Sequence, residues 1–264
     1  MSSMPEYPRT EHGTVPGGSR LPRTFVDDPH LVLRNSPESP VAERFRRLRL
    51  RLDQRTLANP SQPQVTVITS AIPGEGKTTT ATNLALAYAE DRKHHALLIG
   101  ADLRRPSVSR YIVPRPTVGL SEVLTGEVSL DDALIEMRDS KLWVLPSGAP
   151  RERSIELLQN KSLGTVITEL RSRFDRIVID APPTIPFADA AVLASHADGS
   201  LLVVRAGTST MPLIRRARES LSGTNVLGVV LNDVVFTVVD RYYYRYDDDA
   251  PGGRAYAEKG FGPS

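Results

Sequence analysis

The stretch "SAIPGEGKTTT" (Ser70–Thr80) stands between "VTVIT" (65–69), a run of β-branched residues, and "ATNLALAYAE" (81–90), rich in Ala and Leu. A strand feeding a glycine-rich turn that opens a helix is an anion site, because backbone N–H groups and the positive end of the helix dipole converge there. Gly74 and Gly76 let the backbone approach phosphates, Lys77 can reach the outer phosphates, and Thr78 offers a hydroxyl to Mg²⁺. Pro73, Glu75 and Thr79 complete the expected nucleotide-binding loop, with Lys77 on its exposed rim. The strict pattern G-x-x-x-x-G-K-[ST] asks for glycine where Ala71 stands, but the strand before and the helix after support a Walker-type loop.

Outward from this loop, short apolar runs recur at 96–100 ("ALLIG"), 142–145 ("LWVL"), 176–180 ("RIVID"), 200–206 ("SLLVVRA") and 227–233 ("LGVVLND"). Most are separated by segments of helical period. Runs apolar on both faces with helical connections imply a doubly wound, mostly parallel α/β sheet covered on both sides. Upstream, Ser39 and Pro40 supply a helix start, and Phe45, Leu48 and Leu52 mark one face of a helix over about 40–55. Residues 1–36 and 237–264 are rich in Pro, Gly and charge without sustained period, so they are expected to form a flexible arm and a disordered tail around a single domain at 37–236.

Carboxylates at the C-terminal edge of such a sheet are where a nucleotide's Mg²⁺ would be held. "RIVIDAPP" puts Asp180 at a strand end and "ALLIGADLRRP" puts Asp102 just past another. Either Asp could simply cap the following turn, a reading made weaker by the phosphate loop in the same sheet. Asn232, ending a late strand, could pair its amide with a purine edge or merely occupy a turn.

The chain has 264 residues, is 40% hydrophobic, carries a net charge of +2 and contains no cysteine. Near-neutral bulk charge does not by itself imply nucleic acid, and the lack of cysteine leaves neither disulfides nor thiolate metal sites. Arginines 44, 46, 47, 49, 51 and 55 crowd one helix, yet no aromatics are interleaved to stack bases, so a solvated face is expected and no nucleic-acid partner. Five scattered histidines offer no metal spacing. No run approaches the ~18 apolar residues of a membrane span, so a cytoplasmic protein is expected, reaching a membrane only through a partner.

The segments "SAIPGEGKTTT", "LLIGADLRRP", "RIVIDAPP" and "GVVLNDV", in that order, resemble those of the bacterial tyrosine kinases of capsular and exopolysaccharide synthesis. "SPVAERFRRLRLRL" is similar to that family's N-terminal helix, its Glu-x-x-Arg-x-x-Arg motif falling on Glu43, Arg46 and Arg49. "LPSGAPRERSIELL" and a C-terminal tyrosine cluster extend the likeness over roughly 39–246.

The resemblance implies ATP with Mg²⁺, and Lys77, Asp102 and Asp180 as the catalytic charges, with Thr78 and both aspartates on the metal. It implies autophosphorylation at Tyr242, Tyr243, Tyr244 and Tyr246 between subunits of a ring. It also implies oligomerisation through Glu43, Arg46 and Arg49, and a membrane-anchored polysaccharide chain-length regulator as partner. One position departs from the pattern: Gly100 stands where the family has a further aspartate. Because phosphoryl transfer asks little of a base, that loss predicts a slower kinase rather than a dead one, and an aspartate restored there should speed transfer.

Two other readings stay open. Partition and division-site ATPases share the loop, but carry an extra lysine at the place of Ile72. A scaffold that binds ATP without transferring phosphate would suit the loss at Gly100. Five of eight tyrosines crowded into the last 23 residues favour the kinase, since no apolar pattern there could bury them.

Overall fold

In a computed structural model of the chain, residues 22–56, 64–91, 94–138 and 140–234 are described. The strands are β1 (Thr24–Phe25), β2 (Gln64–Ser70), β3 (Ala96–Gly100), β4 (Ile112–Val113), β5 (Ile135–Glu136), β6 (Leu142–Leu145), β7 (Arg176–Asp180), β8 (Gly199–Arg205) and β9 (Val226–Asn232). The helices are α1 (Val32–Asn35), α2 (Pro40–Thr56), α3 (Lys77–Ala89), α4 (Leu120–Thr125), α5 (Leu130–Ala133), α6 (Ser154–Leu158), α7 (Lys161–Arg173), α8 (Asp189–Ser195) and α9 (Met211–Ser220).

Seven strands form one sheet in the order β5-β6-β3-β7-β2-β8-β9, parallel throughout except for β5, which runs antiparallel to β6. All six expected strands are therefore in it. Residues of β2, β3 and β7 are buried on both faces, which is why these segments read as continuous apolar runs instead of alternating ones. On one face Ile68, Leu98, Val178 and Leu201 meet α3, α2 and the N-terminal segment. On the other, Val67, Leu97, Ile177 and Ile179 meet α4, α7 and α8, while α9 covers Leu202 and Val204. The helix expected near 40–55 is present with Leu52 buried and Phe45 and Leu48 packed on the core, and Ser39 Oγ accepts from the Ala42 N–H at 3.2 Å.

The structure corrects the N-terminal boundary. Residues 22–36, expected to be part of a flexible arm, include β1, which pairs antiparallel with β4, and α1, which lies against α3. Phe25, Leu31 and Leu33 are buried in the core. Asn83 on α3 fastens the segment, accepting from the Leu33 N–H at 3.2 Å and donating to the His30 carbonyl at 2.7 Å. These apolar residues enter the core singly and share no helical or strand face, so a search for periodicity passes over them. The remainder of the arm and the tail from 237 lie outside the described residues.

The topology places the site. Strands β3, β7 and β2 are neighbours, with Gly100 opposite Asp180 and Asp180 opposite Ile68, so the loop after β2, the turn after β3 and the end of β7 open on one edge. That edge is where open α/β sheets bind ligands.

Candidate nucleotide and phosphoryl-transfer site

The loop turns through Gly74 (φ +85°) and Gly76 (φ +90°) before α3 begins at Lys77. Gly76 is doubly required: its backbone is left-handed, and a Cβ there would come within 2.0 Å of Asn232 Nδ2. Asn232 reaches across from the end of β9 and donates to the Glu75 carbonyl at 3.0 Å. It braces the loop, and its side-chain oxygen keeps acceptor capacity for a purine amine.

Glu75 sits in the loop but faces away from it. Its carboxylate is 1% exposed and accepts from the Ile72 N–H at 2.9 Å, the Arg205 N–H at 3.3 Å and the Ser209 hydroxyl. It ties the phosphate loop to the segment joining β8 to α9, a role its place in the motif did not announce. Pro73 and Thr79 line the open side together with Gly74 and Thr78. Thr79 Oγ1 lies 3.2 Å from the Tyr111 hydroxyl, whose acidity is weakened by burial although the threonine contact opposes it.

Lys77 is not exposed as expected. It is 8% exposed, with Nζ 3.0 Å from Asp102 Oδ2 and 3.8 Å from Asp180 Oδ1. Burial by itself would lower the ammonium's pKa, but Asp180 and Asp102 outweigh it and hold the pKa above the ordinary lysine value. Asp180 is fully buried, and burial pushes its carboxyl up to about 6 against the pull of Lys77. Among the described residues neither of its oxygens has a hydrogen-bond partner. A buried carboxylate left in that condition, beside the Thr78 hydroxyl and Asp102, suits a divalent cation. Among the described residues no group of three or more His, Cys, Asp or Glu could hold a metal ion.

The departure at position 100 has a steric side. A Cβ on Gly100 would meet Ser147 Oγ at 2.7 Å and the Ser147 nitrogen at 3.1 Å. The loop after β6 thus packs closely against position 100, and a side chain there would require Ser147 to give way.

That loop is held by a residue the sequence reading missed. Glu122 is 6% exposed and accepts from the Gly119 N–H (2.8 Å), the Ser121 hydroxyl (2.8 Å) and the Ala149 N–H (3.1 Å), with Arg151 at 3.3 Å. Burial would raise its pKa, yet these donors prevail and hold it below the ordinary glutamate value. "SEVL" carries a capping-box signal at this glutamate, but nothing local announces that it also anchors a loop 27 residues away.

The phosphate loop forms one wall of a cleft of about 870 Å³. Its far side is formed by Pro150, Arg151, Pro182, Pro186, Arg105 and Phe187.

A family model described as an AAA domain matches residues 64–211. The tyrosine-protein kinase YwqD of Bacillus subtilis is 34% identical over 229 residues, covering 86% of this chain and 93% of that protein. The chain belongs to the bacterial tyrosine kinases. The succinoglycan biosynthesis transport protein ExoP of Rhizobium meliloti is 37% identical over 84% of this chain, but over only 28% of its own length. Among solved structures, the kinase domain of the Escherichia coli tyrosine kinase ETK superposes with a TM-score of 0.71 at 26% identity, covering 78% of this chain and 82% of that one. The kinase fold is accordingly a P-loop domain that binds nucleotide.

The structure brings Lys77, Thr78, Asp102 and Asp180 together, with Asn232 behind the loop. The tyrosines at 242, 243, 244 and 246 lie outside the described residues. Glu43, Arg46 and Arg49 depart from the outward-facing stripe their spacing suggests. Arg46 grips Glu90 through two bonds of 2.8 and 2.7 Å, and Arg49 donates to the Ala87 carbonyl at 2.9 Å, so both close the C-terminal end of α3 in their own chain. Glu43 stays half exposed, 3.4 Å from Arg47.

Proposed function

We propose that this kinase transfers the γ-phosphoryl group of ATP to the tyrosines at 242, 243, 244 and 246 of another copy, and so regulates exopolysaccharide or capsule assembly. The observation that carries it is the meeting of Lys77, Asp102 and the buried Asp180, the first two lining the cleft that holds the phosphate loop. The N–H groups of Gly74, Gly76 and Lys77 cradle the phosphates, and the Lys77 ammonium leaves Asp102 to meet the transferring oxygens. Thr78, Asp102 and Asp180 would hold Mg²⁺, which when bound offsets charge on the β- and γ-phosphates. The tyrosine oxygen bonds to phosphorus as the bond to ADP breaks, and the phenolic proton passes to solvent water. With glycine at position 100, transfer relies on positioning and charge, which a loose transition state permits.

The polysaccharide role is supported by the similarity to the succinoglycan biosynthesis transport protein ExoP and by the family. No helix among the described residues is long and apolar enough to cross a membrane, and we place the kinase at the cytoplasmic face, recruited by a membrane-anchored chain-length regulator. Assembly into a ring through the α2 motif belongs to the same reading.

Incubation of the purified chain with Mg-ATP, followed by mass spectrometry, tests it. Phosphotyrosine confined to 242–246 is expected. ATP hydrolysis without phosphotyrosine would move the chain to the partition-type ATPases.

A further inference from the structure

We propose that the cleft beyond the phosphate loop is an acceptor subsite selective for acidic sequence, in which Arg105 binds the aspartates at 247–249 that follow the tyrosine cluster of another copy. The proposal deepens the kinase reading and rests on it.

Four cations line the cleft, Lys77, Arg104, Arg105 and Arg151, against two acids, Asp102 and Glu152. Three of the cations are already engaged. Lys77 is paired with Asp102, and Arg151 lies between Glu122 and Glu127 at 3.3 and 3.4 Å. Arg104 donates to the Glu152 carbonyl, stands 3.5 Å from Asp189 and stacks over the Phe187 ring at 4.2 Å. Arg105 differs. Among the described residues its guanidinium has no hydrogen bond or ion pair, although its backbone is fixed, its N–H donating to Asp102 Oδ1 at 3.0 Å. An exposed, unpaired arginine whose backbone is tied to a candidate metal acid three residues before it is a binding group for a carboxylate.

The surrounding wall fits an aromatic acceptor. The exposed Pro150 and Pro186 with the half-buried Phe187 give an apolar surface for a tyrosine ring, and the Arg104 guanidinium lies over that phenylalanine. The chain carries a complementary segment in "RYYYRYDDD" (241–249), where three consecutive carboxylates follow Tyr246 directly. At roughly 3.3–3.6 Å per extended residue, a tyrosine at the phosphate leaves the next two or three residues within a side chain's reach of the cleft's rim. Tyr246 is therefore the acceptor that gains most from Arg105.

The test uses two fluorescent peptides of residues 239–251, one native and one with Asp247, Asp248 and Asp249 replaced by asparagine. Each is titrated, by anisotropy with Mg-ADP at low salt, into full-length chain bearing the same three Asp→Asn changes in its own tail, so that this tail does not compete. The native peptide should bind about three- to tenfold more tightly, and Arg105→Ser should erase most of that difference. Equal affinities, or a preference that survives Arg105→Ser, would overturn the proposal. So would a large loss of fluorescent-nucleotide affinity in Arg105→Ser, since the arginine would then serve the nucleotide. Binding is read without phosphoryl transfer: a preference seen in a protein that makes no phosphotyrosine would sink the kinase reading and leave the acidic docking site standing.

Discussion

The two banks of one cleft are built on different principles. The phosphate bank is a single contiguous stretch, 73–79, shaped by two left-handed glycines, a helix terminus and charges buried beneath it. The acceptor bank is assembled from three separate turns, after β3, β6 and β7, and mixes exposed Arg105, Pro150 and Pro186 with half-buried Arg104 and Arg151 and buried Pro182. Phosphate is the same in every turnover, so its bank can be rigid and dry. A polypeptide acceptor must enter and leave, so its bank is shallow and reads sequence through surface charge.

The sharpest way to break this contrast is at Lys77. Lys77→Met should lower the phosphotyrosine rate by a factor on the order of 10² to 10³, with weaker nucleotide binding. Because Lys77 neutralises two buried acids, the nucleotide-free protein should also lose stability, by up to about 3 kcal/mol. Labelling kinetics and thermal unfolding of the same sample check both effects. A mutant of unchanged stability would mean that the lysine does not rest on Asp102 and Asp180 in solution.

Gly100→Asp comes next. From the sequence a restored carboxylate should accelerate transfer, but Ser147 and Val108 crowd the position, and a side chain there must displace them. Destabilisation of about 1–3 kcal/mol is expected from such overpacking, with a single-turnover rate no higher than that of the parent. Gly100→Ala should show the same stability loss, and a faster Gly100→Asp enzyme would restore the missing-base idea.

A smaller effect belongs to the acceptor bank. The depressed pKa of Glu122 means that its ionised form stabilises the fold. That contribution is complete above the ordinary glutamate value near 4.3 and is lost as pH falls through the lower folded value. Glu122→Gln should therefore reduce the thermal midpoint most at neutral pH, and the gap to the parent should narrow as the solution is taken toward pH 3. A gap independent of pH would assign Glu122 a packing role only.

The smallest change concerns the arginines on α2. Arg46→Ala breaks a partly exposed pair with Glu90, worth roughly 0.5–1 kcal/mol, and alone should barely move the unfolding curve. Reversing Arg46 and Arg49 to glutamate separates that local role from assembly. Light scattering that shows monomers where the parent forms a larger species would support the ring.

The glycine-rich loop, six of the seven strands of the sheet and the three charges at its edge were legible in the sequence, because each rests on local signals: β-branched runs, glycine turns and acids at strand ends. Three things were not legible. Residues 25, 31 and 33 showed no period, since each finds its own niche beside α3. Glu75 and Lys77 were assigned to the loop by motif, but only the folded chain turned the first toward Ser209 and buried the second against Asp102 and Asp180. Arg105, Phe187 and Pro150 became one surface because strands distant in sequence are neighbours in the sheet. The sequence by itself determined which atoms could bind a phosphate, since backbone conformation and helix starts depend on residues a few positions apart. Tertiary structure alone decided which charges pair, which stay free, and whether position 100 has room for a carboxylate, because Coulomb energy and steric exclusion act through space between segments that the chain order does not relate.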